Sequence, residues 1–152
     1  MKEEPVHILM VCTGNICRSP LAEVIAERYA TERGRNIVVQ SASTLGLDGR
    51  LAHKNSVRVA KEIGLDLSGH QSQPLTRELM EWADFALGME IMHAGHMRER
   101  YPEADDKIML LGTFGGVYEI SDPIGGWRWK FRKTRGLIED CVHAFIDRLP
   151  VD

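Results

Sequence analysis

The chain is poor in the features that would assign it to a membrane, a nucleic acid or a disulfide scaffold. Its longest apolar runs are far too short to cross a bilayer, and Met1–Pro5 holds no apolar signal-peptide core. Lys and Arg number 19 against 22 Asp and Glu, a formal net charge of -3, so no basic field points to nucleic acid. Only three cysteines occur (Cys12, Cys17 and Cys141), and an odd number cannot pair fully within one chain. A reducing, cytoplasmic setting without membrane or nucleic-acid partners is the expectation.

What the chain does have is alternation. At 152 residues one domain spanning 1–152 is expected, large enough for a core without disulfides. His7–Val11 reads as a buried strand and Pro20–Ala30 as a helix, with Ser19 as N-cap and Pro20 at the first helical position. Further strands are expected at Asn36–Gln40, Phe85–Met89 and Ile108–Leu111. Helical patterns cover Asn55–Ile63 before Gly64, Thr76–Trp82 and Lys130–Arg148. Strands alternating with helices predict an α/β fold: a three-layer sandwich with a four-stranded parallel sheet and helices on both faces.

The chemistry concentrates in Val11–Pro20, V-C-T-G-N-I-C-R-S-P, between the first strand and the first helix. Such a loop lies at the carboxyl end of a strand, where open α/β sheets bind ligands. Gly14 and Asn15 permit a tight turn that aims the N–H groups of Thr13, Gly14, Asn15, Ile16, Cys17 and Arg18 inward. With the helix N-terminus they make an anion cradle that needs no metal or cofactor. Arg18 can grip two oxyanion oxygens at once, and the same positive field favours a thiolate at Cys12. No Gly-Lys-Ser/Thr closes the loop, so it is not a nucleotide P-loop. The plain alternative is a βα turn with an incidental buried cysteine.

Val11–Pro20 resembles, nearly residue for residue, the active-site loop of the low-molecular-weight protein tyrosine phosphatases, here of bacterial type. The likeness runs along almost the whole chain. Gln40–Thr44 looks like a Ser-Ala-Gly-Thr segment with Ser43 in place of Gly, and Asp66–His70 like the segment ending in a supporting His. Ala83–Glu90 is similar to the third strand, and Asp122-Pro123 to the Asp-Pro that supplies the acid. The resemblance implies a phosphotyrosine-protein substrate, such as a tyrosine kinase, and a phosphocysteine intermediate. It makes Cys12 the nucleophile, Arg18 the phosphate clamp and Asp122 the general acid and base. It implies that Ser19 donates to the Cys12 sulfur, and that Asn15, His70 and Ser41 scaffold the loop.

Other readings stay open at several positions. Asp122 before Pro123 alone would be an ordinary turn, and His70 a polar residue at a strand start. His93 and His96 are three apart on a helical stretch without a third ligand, so a solvated face is expected rather than a metal site. Cys141 reads as core. Cys17 is either a plain loop residue or a thiol able to trap Cys12 as a disulfide. The family's aromatic wall is missing after Asp122-Pro123 and in Leu45–Arg50, leaving Ile16, Leu47 and Ile124 as the substrate wall. Trp127 and Trp129 either replace it or pack on the closing helix. A protein-arginine phosphatase branch is also similar but tends to carry Thr where Ile16 stands. A thiol-coupled arsenate reductase would need more resolving thiols than occur here, and a non-catalytic oxyanion-binding module would keep the loop without turnover.

Overall fold

The computed structural model describes residues 4–151. Its element order is β1 (Val6–Cys12), α1 (Arg18–Glu32), β2 (Ile37–Ser43), α2 (Lys54–Lys61), α3 (Arg77–Trp82), β3 (Phe85–Gly88), α4 (Ile91–Arg100), β4 (Ile108–Leu110) and α5 (Arg128–Arg148). The strands form one parallel sheet in the order β2-β1-β3-β4. The chain leaves β1 toward β2 and later returns on its other side to β3. The loop after β1 therefore sits where strand order reverses, which opens a crevice beyond the strand ends.

Two apolar clusters flank β1. Ile8 and Met10 face α1, α2 and α5, packing with Leu21, Ile25, Val59, Phe131 and Ile138. Leu9 and Val11 face α3 and α4, with Met80, Ala86 and Met97. Ile8, Leu9, Met10 and Val11 are wholly buried because β1 is central and covered on both faces. Each such side chain contributes on the order of 1.5–3 kcal/mol by leaving water. The result is the expected three-layer sandwich. Among the described residues, no helix is long and apolar enough to cross a membrane.

Several boundaries differ from the sequence expectation. Helix α1 begins at Arg18, with Cys17 rather than Ser19 as N-cap and no side-chain cap bond. Pro20 is tolerated in the first turn, where the backbone N–H would be orphaned anyway. Strand β2 runs on to Ser43, because its polar end continues the ladder that pairs Cys12 with Ser43. Helix α5 starts at Arg128, two residues early. Thr76 caps α3 as expected, its Oγ1 accepting from the Leu79 N–H at 3.2 Å.

Cys141 is wholly buried in the first cluster, as its apolar setting predicts. Its sulfur fills the space that Gly115 leaves open: a Cβ at Gly115 would lie 2.5 Å from Cys141 Sγ. Gly115→Ala should therefore destabilise the chain by about 1–3 kcal/mol in urea unfolding. The penalty should largely disappear when the substitution is made in Cys141→Ala. An equal penalty in both backgrounds would mean the sulfur is not the obstacle.

Candidate active site

Among the described residues, none accepts a hydrogen bond from the backbone N–H groups of Gly14, Ile16, Cys17 or Arg18. Buried or half-buried donors without protein acceptors are costly unless something else takes them. Here they follow one another around a turn at a helix N-terminus, a nest that suits an oxyanion.

Asn15 holds that turn in shape. It is wholly buried and has φ 56°, the one left-handed non-glycine among the described residues. Asparagine tolerates this conformation better than most residues, but at some cost. Four bonds fix it. His70 Nε2 lies 2.7 Å from the Asn15 carbonyl oxygen, and the Gln73 N–H donates to Asn15 Oδ1 at 3.0 Å. Asn15 Nδ2 donates to Ser19 Oγ at 2.8 Å, and the Asn15 N–H points to Cys12 Sγ at 3.3 Å.

Ser19 thereby becomes directional. Its oxygen accepts from Asn15, so its own proton turns to Cys12 Sγ, 2.9 Å away. The serine expected to cap α1 instead orients a proton toward the thiol, and two donors converge on that sulfur. Ser41 reaches the Asn15 network only through its carbonyl, which accepts from Gln73 Nε2 at 3.0 Å, and not through its hydroxyl. The register pairs it with Met10, two residues short of the loop, and its hydroxyl donates to the Glu23 carboxylate. Ser43 takes the place beside the loop. Its hydroxyl donates to the Thr13 carbonyl at 2.6 Å and accepts from the N–H groups of Gly46 and Leu47.

Arg18 is almost wholly buried, and its charge is matched from other elements. Its Nη1 meets Glu90 Oε2 at 2.9 Å and donates to the Ile120 carbonyl at 2.8 Å. Its Nη2 lies 3.9 Å from Asp122 Oδ2. A buried guanidinium without such partners would be expensive. Asp122 is itself half-exposed, with its other oxygen accepting from the Ile124 N–H at 2.9 Å.

Glu90 and His93 have no site role in the sequence reading, and the expected solvated face is wrong for His93. That residue is 1 % exposed. Gly88 lets α4 approach the sheet: a Cβ there would stand 3.1 Å from His93 Cβ and 3.2 Å from the Ala94 nitrogen. His93 Nδ1 accepts the Glu90 N–H at 2.9 Å, so Nε2 carries the proton and donates to Thr13 Oγ1 at 2.8 Å. One imidazole thus links the loop's first residue to the partner of Arg18. The available signal is Glu90-x-x-His93 directly after a strand, a capping-box spacing. Sequence reasoning also misses His53, whose N–H donates to the Ile16 carbonyl at 2.8 Å and whose ring caps α2.

Ile16 and Leu47 come together over Gly14, where a Cβ would meet both side chains at 3.4–3.8 Å. Ile124 lies on the Asp122 loop and is half-exposed. Trp127 and Trp129 are 79 % and 61 % exposed, so neither is packed into the closing helix's core face. Cys17 is buried beside Ser56, and burial pushes its thiol up to about 12, against the hydroxyl's opposing pull.

Fold and site together define an α/β protein that sets a hydrogen-bonded thiol beneath an anion-sized ring of backbone donors. Residues 7–152 match the model of the low molecular weight phosphotyrosine protein phosphatases, and the chain belongs to that family. It is 38% identical over 143 residues to the Escherichia coli K12 low molecular weight protein-tyrosine-phosphatase Wzb, covering 94% of this chain and 95% of Wzb. It is 34% identical over 150 residues to a Geobacillus stearothermophilus protein-arginine-phosphatase, covering 97% and 99%. A solved YwlE arginine phosphatase mutant with a phosphorylated active-site serine superposes with TM-score 0.90 at 32% identity, covering 95% of each chain.

Burial, followed by the nearby Arg18 charge, lowers the His93 pKa from 6.5 to about 4. The unfolded chain then binds the extra proton first, so stability is complete above about pH 6.5 and falls as pH drops toward 4. His93→Gln should flatten that decline by up to roughly 3 kcal/mol, read as the wild-type minus variant difference in unfolding free energy between pH 7 and 4. Parallel curves would show that His93 does not titrate in this window.

Proposed function

We propose that the chain is a protein tyrosine phosphatase that hydrolyses aryl phosphate monoesters through a phosphocysteine. The observation that carries the reading is the ring of unclaimed loop N–H groups closing over a Cys12 sulfur that already receives two donors. The thiolate attacks phosphorus in line, opposite the departing phenolic oxygen. Arg18 and the unclaimed N–H groups of Gly14, Ile16, Cys17 and Arg18 hold the equatorial oxygens as charge shifts. Asp122 protonates the leaving oxygen, and its half-exposed position near Arg18 leaves it within reach of a substrate. Water then attacks the phosphocysteine with Asp122 as base, and cysteine leaves as a thiolate stabilised by Ser19 and Asn15. Ser43, His70 and Asn15 keep the loop in its attacking shape. A phosphorylated active-site serine in a related protein supports a covalent route.

Protein-arginine phosphatase is the second reading, favoured by relatives of comparable identity over nearly the whole chain. The walls argue for the aryl substrate. Ile16 offers no hydroxyl to a guanidinium, whereas Ile16, Leu47 and Ile124 present apolar surface to a phenyl ring. A phosphoprotein partner such as a tyrosine kinase, and a cytoplasmic location, belong to this proposal.

Hydrolysis of para-nitrophenyl phosphate from pH 4 to 8 tests it. Cys12→Ser should abolish turnover, and Asp122→Asn should slow it about 10²–10⁴-fold. Phosphotyrosine should be preferred to phosphoarginine. Wild type inert toward every phosphate while phosphate still protects Cys12 from iodoacetate would make the loop a binding module. A phosphoarginine preference would select the second reading.

A further inference from the structure

A cleft of about 310 Å³ lies beside the Asp122 loop and takes no part in the chemistry above. Lys54 and Arg58 line it from α2, Arg128 from the start of α5, and Gly125, Gly126 and Trp127 complete much of its wall. Three cations converge there and no carboxylate lines it. Five arginines elsewhere are ion-paired, while Arg28 and Arg35 meet backbone carbonyls and Arg33 and Arg148 lie over aromatic rings. Arg132 and Arg135 share Glu62, Arg98 meets Asp105, Arg77 meets Glu103, and Arg18 meets Glu90. Lys54, Arg58 and Arg128 have no ion-pair partner among the described residues. Helices α2 and α5 also both begin at this cleft, without an acidic residue in either first turn. Their N-terminal dipoles add to the same sign. In a chain of net charge -3, this is a local concentration of exposed positive charge.

The cleft is joined to the catalytic loop by short connections. His53, next to Lys54, donates its N–H to the Ile16 carbonyl at 2.8 Å. Gly125 and Gly126 stand just after Ile124, whose own N–H is bonded to Asp122. The His53 ring is stacked on Phe131 and feels the charges of both Lys54 and Asp122. A peptide leaving the Ile16–Ile124 wall toward α2 would head for the cleft lined by Lys54, Arg58 and Arg128, with Trp127 exposed beside it.

We propose that this cleft is a second anion subsite, which receives a carboxylate or phosphate monoester on the substrate protein close in sequence to the phosphotyrosine held over Cys12. The proposal rests on the phosphatase reading and extends it to substrate selection. Guanidinium and ammonium groups suit either anion, and the phosphate monoester has more acceptor oxygens for them. Because the cations are exposed, the preference should appear mainly in KM and weaken with salt.

The test uses phosphotyrosyl peptides that differ only in carrying Ala, Glu or a second phosphotyrosine at each position up to three residues either side. Wild type and the Arg58→Gln/Arg128→Gln double variant are compared by kcat/KM for loss of the central phosphate, at low ionic strength and in 0.5 M NaCl. The readout is the ratio of anionic to Ala peptide for each protein, which cancels any general loss of activity. At one or more positions wild type should favour an anionic peptide by about tenfold, chiefly through KM. In the double variant, and for wild type in high salt, the ratio should fall below about twofold. The Glu and phosphotyrosine arms separate a carboxylate from a phosphate requirement. Equal cleavage of all peptides by wild type, or a ratio unchanged in the variant, overturns the subsite alone. Wild type inert toward every peptide and toward para-nitrophenyl phosphate overturns the phosphatase reading and the subsite with it.

Discussion

The left-handed backbone at Asn15 is the constraint on which the site is built. A loop whose N–H groups point at one centre gathers partial positive charges that repel one another and forgo protein acceptors. It persists only when its surroundings over-determine it. Here the restraints come from several parts of the chain: His70 and Gln73 from the segment before α3, Ser19 from α1, and Cys12 from β1. Ser43 on β2 holds the carbonyl of Thr13 before it, and His53 that of Ile16 after it. The sheet's reversal of strand order is what brings such distant segments to one place.

The charged part of the site follows the same logic. Arg18 can be buried because Glu90 and the Ile120 carbonyl answer it, and Glu90 is fixed because His93 accepts its N–H. The imidazole's other nitrogen reaches Thr13, so the guanidinium and the loop are set by a common residue. Asp122 contrasts with this rigidity. It stands half-exposed on a glycine-punctuated loop, which suits the proposed exchange of protons with substrate and water.

The architecture is largely legible in the sequence, because a period-2 or continuous apolar pattern flanked by 3.6-period segments leaves few alternatives. The differences fall where side-chain chemistry overrides local propensity. Ser19 reads as an N-cap, yet Asn15 and Cys12 compete for its hydroxyl and win. Strand β2 looks shorter than it is because Ser41 and Ser43 are polar; both are buried through bonds to residues 18 and 30 positions away. Of the site, the loop, His70 and Asp122 are visible in the sequence as motifs. Glu90 and His93 are not, since their partners lie some 70 to 80 positions earlier. The pairing of His93 with His96 suggests a surface position, whereas the missing side chain of Gly88 lets α4 sink His93 into the interior.

Diverting Ser19 has a thermodynamic consequence beyond the thiol. Helix α1 starts without a side-chain cap, so its leading donors are left to whatever occupies the loop. On the proposed reading, substrate and released phosphate serve in turn as the missing cap. Folding and turnover are then linked by mass action. Any oxyanion at a hundred times its dissociation constant would add about 2.7 kcal/mol to the stability of the native state. On the same reading, inorganic phosphate that competes for the site would also be a ligand that protects the fold.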